Sequence, residues 1–316
     1  MNLGLRLRGR RSDGYHLLES LMVPLDLCDR LEIERVPGPD LTLTLEGEAP
    51  GVPLGPANLA VRAAQAFLRE ARLDRSGRSP GLRIRLHKRI PAAAGLGGGS
   101  SDAGAMLRAL GRLFPGALDD RALHILALRL GADVPFFLDP RPAFVAGIGE
   151  VLEAAPGVPA LPLLLANPGE PLSTARVFAL ADELAGDALT PRGADPTIRE
   201  LSALPRGAVP ACEPLQAFLR VLRSSDDTSP LLTNDLERAA VRLCPAVAVL
   251  RREIERVGAV AVGLSGSGPT VFGVFASVEA AGAACERLAL SPPARSWVVT
   301  SAPSRLPESS GASPNW

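Results

Sequence analysis

One glycine-rich stretch decides the fold: Pro91-Ala92-Ala93-Ala94-Gly95-Leu96-Gly97-Gly98-Gly99-Ser100-Ser101. Strictly alternating polarity over residues 82–86 predicts a strand before it, and an apolar stripe over residues 101–113 predicts a helix after it. Glycines let a backbone approach a ligand closely. The start of a helix offers unpaired N–H groups and a positive dipole end, which suit phosphate. The stretch therefore predicts a phosphate-binding loop, in which Ser100 and Ser101 either cap the helix or reach a phosphate or Mg²⁺.

Two common nucleotide motifs do not fit this loop. A P-loop needs a lysine directly after its glycines, and none follows here. The dinucleotide fingerprint, counted from Gly95, needs a glycine where Ser100 stands. The residues alone leave one plainer alternative open, a flexible loop with a serine helix cap.

The rest of the chain mixes strands and helices. The predicted strands are residues 31–35, 41–45, 82–86, 143–146, 161–166, 260–264, 271–275 and 297–300. The predicted helices are residues 58–72, 101–113, 121–130, 174–184, 215–223, 234–243, 246–257 and 278–288. Residues 190–210 and 224–230 are predicted surface loops, and the Ser- and Pro-rich residues 301–316 a disordered tail. Strands and helices do not alternate regularly, which favours an α+β fold, and a domain boundary is expected near residues 150–160.

Composition narrows the class of protein. The formal net charge is zero, so a nucleic-acid-binding surface is not favoured. We find no apolar run long enough for a membrane span and no signal-peptide pattern at the N-terminus, so we expect a cytoplasmic protein that does not bind membranes. Cys28, Cys212, Cys244 and Cys285 are far apart in sequence and are predicted to be small buried residues, so no metal ligands are assigned.

Several motifs resemble those of a known family, the GHMP kinases. Residues 91–101 are similar to the family's phosphate-binding motif, Gly263-Leu264-Ser265-Gly266-Ser267-Gly268-Pro269 resembles its C-terminal glycine-rich motif, and Asn2-Leu3-Gly4-Leu5 resembles the end of its N-terminal motif. Four further segments resemble one branch of the family: Arg11-Ser12-Asp13-Gly14-Tyr15-His16, Leu130-Gly131-Ala132-Asp133-Val134-Pro135-Phe136-Phe137, Gly147-Ile148-Gly149-Glu150 and Asn167-Pro168-Gly169. The similarity extends from about residue 2 to about residue 300.

The resemblance implies a two-domain α+β fold. Residues 1–155 would form an ATP-binding N-terminal domain of the ribosomal-protein-S5-domain-2-like type. Residues 156–300 would form a ferredoxin-like C-terminal domain, followed by the tail at residues 301–316.

The resemblance also implies a reaction. ATP and Mg²⁺ would serve to phosphorylate the 2-hydroxyl of 4-diphosphocytidyl-2-C-methyl-D-erythritol, in the non-mevalonate route to isoprenoid precursors. The partner would be this small molecule with its cytidine diphosphate group, and the protein a monomer or weak homodimer. Two alternatives are another GHMP kinase, such as homoserine kinase, and a nucleotide-binding protein without turnover.

Roles for individual residues follow from the same resemblance. Asp133 matches the catalytic aspartate, and its plainer role would be that of an N-terminal loop residue that bonds backbone amides. The ATP site would comprise residues 91–101 with Asn58 and Lys88, although Lys88 could be a solvated strand end. The substrate site would comprise Asn2, Tyr15, His16, Thr174 and Phe178; without the resemblance, Tyr15 is a half-buried surface aromatic and Phe178 a core residue.

The chain departs from the family pattern at its first residues. The family opens with Ala-Lys-Ile-Asn-Leu, whereas this chain begins Met1-Asn2-Leu3, so the lysine that helps to organise the active site is absent. We expect a natural protein that is longer by several residues. The alternative is a short chain that binds ligands but is impaired in catalysis.

Overall fold

The protein consists of two compact units that interleave along the sequence. The structure, a computed structural model, describes residues 1–47, 50–73, 80–155, 158–186 and 232–301. The first unit contains residues 1–26, 93–96 and the described residues from 141 onward, and the second contains the described parts of 27–92 and 97–140. The glycine-rich loop passes from the first unit to the second between Leu96 and Gly97. The boundary expected between residues 155 and 156 stays a prediction.

The described residues form eleven strands and seven helices. The strands are β1 (Asn2–Arg10), β2 (His16–Met22), β3 (Arg30–Val36), β4 (Leu41–Gly47), β5 (Gly81–Lys88), β6 (Ala143–Ala146), β7 (Val151–Ala154), β8 (Pro162–Asn167), β9 (Ala261–Leu264), β10 (Val271–Val274) and β11 (Arg295–Thr300). The helices are α1 (Leu59–Glu70), α2 (Gly98–Leu113), α3 (Asp120–Leu130), α4 (Thr174–Ala185), α5 (Glu237–Leu243), α6 (Ala246–Arg256) and α7 (Val278–Arg287).

The second unit is a three-stranded sheet covered on one face by helices. Its strand order is β3-β5-β4, with β5 antiparallel to β3 and parallel to β4. Leu82, Ile84 and Leu86 are fully buried on β5, while the residues between them are exposed, as the alternating sequence predicts. Phe67 of α1 and Met106 of α2 belong to the same buried cluster. The end of β5 is therefore fixed where the glycine-rich loop begins.

The first unit holds two antiparallel four-stranded sheets. Their strand orders are β1-β2-β6-β7 and β11-β8-β10-β9. Every residue of β9 and β10 is buried, and the core of this unit includes Val177, Ala240 and Ile254 from three helices. The turn between β9 and β10 is the second glycine-rich motif, so its ends are held by buried strands.

The predicted serine cap of α2 is wrong. The helix begins at Gly98, and its cap is Gly97, which has the positive φ of 70° that glycine tolerates best. The amide of Ser101 donates to the Gly97 carbonyl at 2.8 Å, so the helical bonding starts three residues earlier than predicted. Ser100 and Ser101 lie in the first turn, where the Ser101 hydroxyl donates to the Gly98 carbonyl.

Most other predicted elements are confirmed to within a few residues, with three strands missed. The register of β1 with β2 shifts between Asn2 and Gly4 and again between Leu7 and Gly9. The missed strands are β1, β2 and β7, and residues 134–138 form a 3₁₀ turn, Val134–Leu138. The predicted helix at 215–223 and the predicted loops lie outside the described residues, as does the predicted tail beyond residue 301.

The prediction that the cysteines are buried is confirmed fully for one and in part for another of the three that the structure describes. Cys244 is buried and Cys285 partly buried, but Cys28 is exposed, and Cys212 lies outside the described residues. No described helix has the length and apolarity to cross a bilayer.

Candidate active site

The first half of the glycine-rich loop packs against the second glycine-rich motif within the first unit. The Thr270 amide donates to the Ala94 carbonyl at 3.3 Å, and the Ser265 hydroxyl donates to the Gly95 carbonyl at 2.9 Å. A Cβ on Gly95 would lie 2.5 Å from the carbonyl oxygen of Ser265 and 2.6 Å from that of Gly268. Only glycine fits this approach, so residues 94–95 and the second motif are in close backbone contact although they are far apart in sequence.

A buried asparagine fixes the turn of the second motif. The Asn234 amide group donates to the carbonyls of Leu264 and Gly266 at 2.8 and 2.7 Å, and its own oxygen accepts from the Leu236 amide. Asn2, predicted to contact substrate, places its side-chain oxygen 3.2 Å from the position of a Cβ on Gly266. The structure thus brings the N-terminal motif beside this turn.

The second half of the loop is the start of α2 in the second unit. Gly98, Gly99 and Ser100 are the first three helical residues, so their N–H groups have no carbonyl four residues earlier within the helix. Unpaired amides and the positive end of a helix dipole favour the binding of an anion. A Cβ on Gly98 would lie 3.0 Å from Ile90 and 3.5 Å from the Lys88 ammonium nitrogen, so the backbone here rests on both side chains.

Lys88 is buried beneath this helix start, which excludes a solvated strand end. Its ammonium group pairs with Asp29 and donates to Asp102 at 2.8 Å. The other oxygen of Asp29 accepts from the amides of Arg89 and Ile90 at 2.6 and 2.9 Å. Burial raises the pKa of Asp102 to about 7, against the attraction of Lys88. The three charged groups tie the end of β5 to α2 directly below the loop.

Asp133 begins the 3₁₀ turn that packs on α2. Its side chain makes no capping bond at that turn, so the plainer alternative for this residue is not observed. Asp133 is exposed, yet nearby protein displaces enough water from its carboxyl group to raise its pKa. Phe137 of the same turn lies 3.1 Å from the position of a Cβ on Gly97. The turn that carries Asp133 is therefore in direct contact with the helical end of the loop.

The other residues predicted to contact the substrate also lie in the first unit. The rings of His16 and Phe178 are 4.8 Å apart and tilted by 33°. Tyr15 is 55% exposed, which fits a half-buried surface aromatic, and Phe178 is partly buried against the core. Thr174, one helical turn before Phe178, shares a hydrogen bond of 2.9 Å with Ser267 of the glycine turn. The structure thus brings His16 and Phe178 together and places Thr174 beside the second motif.

Asn58 caps α1 and is buried. Its side-chain oxygen accepts from the Ala60 amide at 2.9 Å, and its amide group donates to the Pro53 carbonyl at 3.0 Å. Both polar ends of this side chain are therefore used to hold local structure.

Sequence reasoning missed three residues that organise the site: Asp29, Asp182 and Asn234. Asp182 lies 2.6 Å from the Nε2 atom of His16. Each acts on a segment far from it in sequence, and none belongs to a motif, so a single sequence carries no signal for them.

Comparison with known proteins first gives the class. The model of the GHMP kinases N terminal domain matches residues 58–139, and that of the GHMP kinases C terminal matches residues 209–292. Together these matches cover more than half of the chain. The class is therefore that of the GHMP kinases, with their two-domain α+β fold.

Relatives that match most of the chain define the particular family. A 4-diphosphocytidyl-2-C-methyl-D-erythritol kinase of Mesorhizobium japonicum is 42% identical, over 87% of this chain and 84% of its own length. One of Geobacter sulfurreducens is 38% identical over 94% and 93%. The crystal structure of a 4-(cytidine 5'-diphospho)-2C-methyl-D-erythritol kinase is 37% identical over 95% and 96%, with a TM-score of 0.72. This chain belongs to the 4-diphosphocytidyl-2-C-methyl-D-erythritol kinase family.

Proposed function

We propose that this enzyme transfers the γ-phosphoryl group of ATP to the 2-hydroxyl of 4-diphosphocytidyl-2-C-methyl-D-erythritol, giving the 2-phosphate and ADP. The step supplies a precursor in the non-mevalonate route to isoprenoids. Family membership supports the substrate. The observation that carries the chemistry is the start of α2, where a glycine cap and three helical amides form an anion site.

The phosphates of ATP are held by backbone rather than by a lysine-bearing P-loop. The unpaired amides at the start of α2 and the dipole of that helix neutralise their charge, which is the main task in phosphoryl transfer. Asn58 and Lys88 remain proposed neighbours of the nucleotide. Because their polar atoms are engaged within the protein, they act by fixing the walls of the site.

Mg²⁺ is proposed to arrive as its complex with ATP. Among the residues that the structure describes, no cluster of three or more His, Cys, Asp or Glu side chains could hold a metal ion. Mg²⁺ does not need such a cluster, because it keeps water and phosphate oxygens as ligands and takes only one or two ligands from protein. The ion would neutralise phosphate charge during transfer.

Asp133 is proposed to accept or orient the proton of the attacking hydroxyl. Its carboxyl group is exposed and not used for capping. Its raised pKa makes the carboxylate a stronger base than an ordinary aspartate. Asn2 is proposed as a polar contact to the substrate near that hydroxyl.

The cytidine end of the substrate is proposed to bind at the aromatic residues of the first unit. Tyr15 and Phe178 offer ring faces on which a pyrimidine can stack, and His16 offers a ring nitrogen to its edge. Thr174 supplies a neighbouring polar contact. The proximity of the His16 and Phe178 rings supports this assignment.

A panel of acceptors tests the proposal. Protein with MgATP is given either 4-diphosphocytidyl-2-C-methyl-D-erythritol or homoserine, and ADP release is measured. We expect turnover with the cytidine substrate only. Phosphorylation of homoserine with the cytidine substrate ignored would show another GHMP kinase. ATP binding by calorimetry without ADP release from either mixture would show a binding protein.

Two further properties stay predictions. One is the oligomeric state, a monomer or weak homodimer, and the other is location in the cytoplasm. Sedimentation velocity at several protein concentrations measures the first.

A further inference from the structure

A three-residue network of the first unit holds His16 in place. Its Nε2 atom lies 2.6 Å from the Oδ1 atom of Asp182 on α4. Arg10 contacts the other oxygen of Asp182 at 3.2 Å, and its Nε donates to the Gly14 carbonyl. The carboxylate thus has an imidazole on one oxygen and a guanidinium on the other.

This network determines which nitrogen of His16 carries the proton. An ionised carboxylate only accepts hydrogen bonds, so the Nε2 atom of His16 must donate to Asp182. In the neutral imidazole the other nitrogen, Nδ1, is then an acceptor. The His16 side chain is only 9% exposed and its ring lies against Phe178, so a ligand meets the ring at an edge.

Cytosine and uracil differ in the group that such an edge would meet. The exocyclic amino group of cytosine is a donor, whereas uracil carries an acceptor oxygen at the same position of its ring. An acceptor at Nδ1 of His16 accepts a hydrogen bond from the amino group of cytosine and repels the oxygen of uracil. A site that bonds a polar group of its ligand rejects an analogue that leaves this bond unmade.

We propose that Asp182 is a positioning residue which sets the tautomer of His16 and thereby selects a cytosine base over a uracil base. The inference rests on the proposed function, because it assumes that the cytidine end of the substrate binds at His16. Asp182 and Arg10, neither of which belongs to a motif, would then control the specificity for the base.

Arg10 makes the effect of one substitution definite. In Asp182→Asn, the guanidinium of Arg10 binds the side-chain oxygen, so the new amide group faces His16 and donates to Nε2. The proton of His16 then moves to Nδ1, which becomes a donor. Asparagine in place of the aspartate of a Ser-His-Asp triad imposes the wrong histidine tautomer in the same way.

The test compares kcat/KM for the cytidine substrate and its uridine analogue in both proteins. We expect the wild type to prefer the cytidine substrate, and Asp182→Asn to lower that preference at least about tenfold. The change should fall on KM, with kcat within about threefold, because the base is remote from the reacting hydroxyl. Glu183→Gln, which removes a charge from the adjacent exposed position, should keep the wild-type preference.

Nitrogen-15 NMR of histidine gives an independent readout. We expect His16 protonated at Nε2 in the wild type and at Nδ1 in Asp182→Asn. A wild type that does not discriminate, or a variant that loses both substrates equally, would overturn the inference. If neither substrate is phosphorylated, the proposed function fails, and the inference is then decided by the binding of CDP against UDP and by the two tautomers.

Discussion

Two carboxylates share one ammonium group beneath the glycine-rich loop. Lys88 pairs with both Asp29 and Asp102, and all three side chains are almost fully buried. Burial, and to a smaller extent the negative charge of Asp29, raises the pKa of Asp102 to about 7. The arrangement holds β5 and α2 together but leaves a carboxyl group that changes charge near neutral pH.

Stability should therefore fall as the pH rises. The folded-state pKa of Asp102 is about 7 against an ordinary 3.8, so the folded protein binds more protons than the unfolded chain between those values. The protonated carboxyl group of Asp102 makes its full contribution to the free energy of unfolding below pH 4, and this contribution is lost by about pH 7. In Asp102→Asn this loss should be absent, so the variant gains about 2 to 4 kcal/mol relative to the wild type between pH 4 and 8.

Urea unfolding at several pH values measures this difference. The control is Asp40→Asn, at an exposed position of the same unit, which should follow the wild type throughout. Parallel curves for the wild type and Asp102→Asn would refute this account of the buried cluster.

Asp133 gives a prediction for catalysis. Asp133→Asn should lower kcat by about 10²- to 10⁴-fold, because the hydroxyl loses its proton acceptor, while the KM for ATP stays within about threefold. The raised pKa of Asp133 means that wild-type activity declines, as the pH falls, at a higher pH than an ordinary aspartate would give. Steady-state kinetics across pH measures both effects.

A matched control for Asp133 lies at the other end of the same turn. Asp139→Asn removes an equal charge from an exposed residue and should keep kcat near the wild-type value. Equal losses in the two variants would argue against a specific role for Asp133.

At the scale of elements, the contact between the two glycine-rich segments depends on Gly95. Gly95→Ala places a Cβ within 2.6 Å of two carbonyl oxygens, at a residue whose φ of 73° already disfavours a side chain. We expect a loss of about 2 kcal/mol or more in the free energy of unfolding. Gly99→Ala meets nothing within 4 Å and, inside a helix, should leave stability unchanged or raise it by about 1 kcal/mol. Equal thermal stability of the two variants would contradict the close packing.

The contact between α2 and the turn of Asp133 depends on Gly104. A Cβ there would lie 2.4 Å from the Cβ of Phe137, whereas on Gly111 of the same helix its nearest neighbour would be 3.7 Å away. Gly104→Ala should therefore cost about 1 to 3 kcal/mol and lower kcat, because the turn is displaced. Gly111→Ala should change neither, and calorimetry with kinetics compares them. A Gly104→Ala protein as active as the wild type would show that the turn does not depend on this approach.

Local pattern predicted the elements that carry a clear period. Strand β5 alternates without a break, and α1 has one apolar face, so both follow from the sequence. The start of α2 was misplaced because glycine has low helix propensity, and only the conformation of Gly97 shows where the helix begins. Strand β1 was missed although Leu3, Leu5 and Leu7 alternate with glycine and arginine, a pattern from which it could have been predicted.

At the scale of the whole molecule, the motifs were predictable but their supports were not. Residues 91–101 indicate phosphate binding by their glycines and the helix that follows, whereas residues 263–269 were singled out by their resemblance to the family. Asp29 and Asn234 support these loops through bonds to residues far along the chain. The interleaving of the two units was equally hidden, because a pattern in sequence gives local structure and not which distant segments meet.

One measurement tests the central claim most directly, phosphorus NMR of a mixture of this protein, MgATP and 4-diphosphocytidyl-2-C-methyl-D-erythritol. The account predicts that ADP and a new phosphate monoester on the 2-oxygen of the acceptor appear in equal amounts. ADP without the monoester, or an acceptor that stays unchanged while ATP is bound, would contradict it.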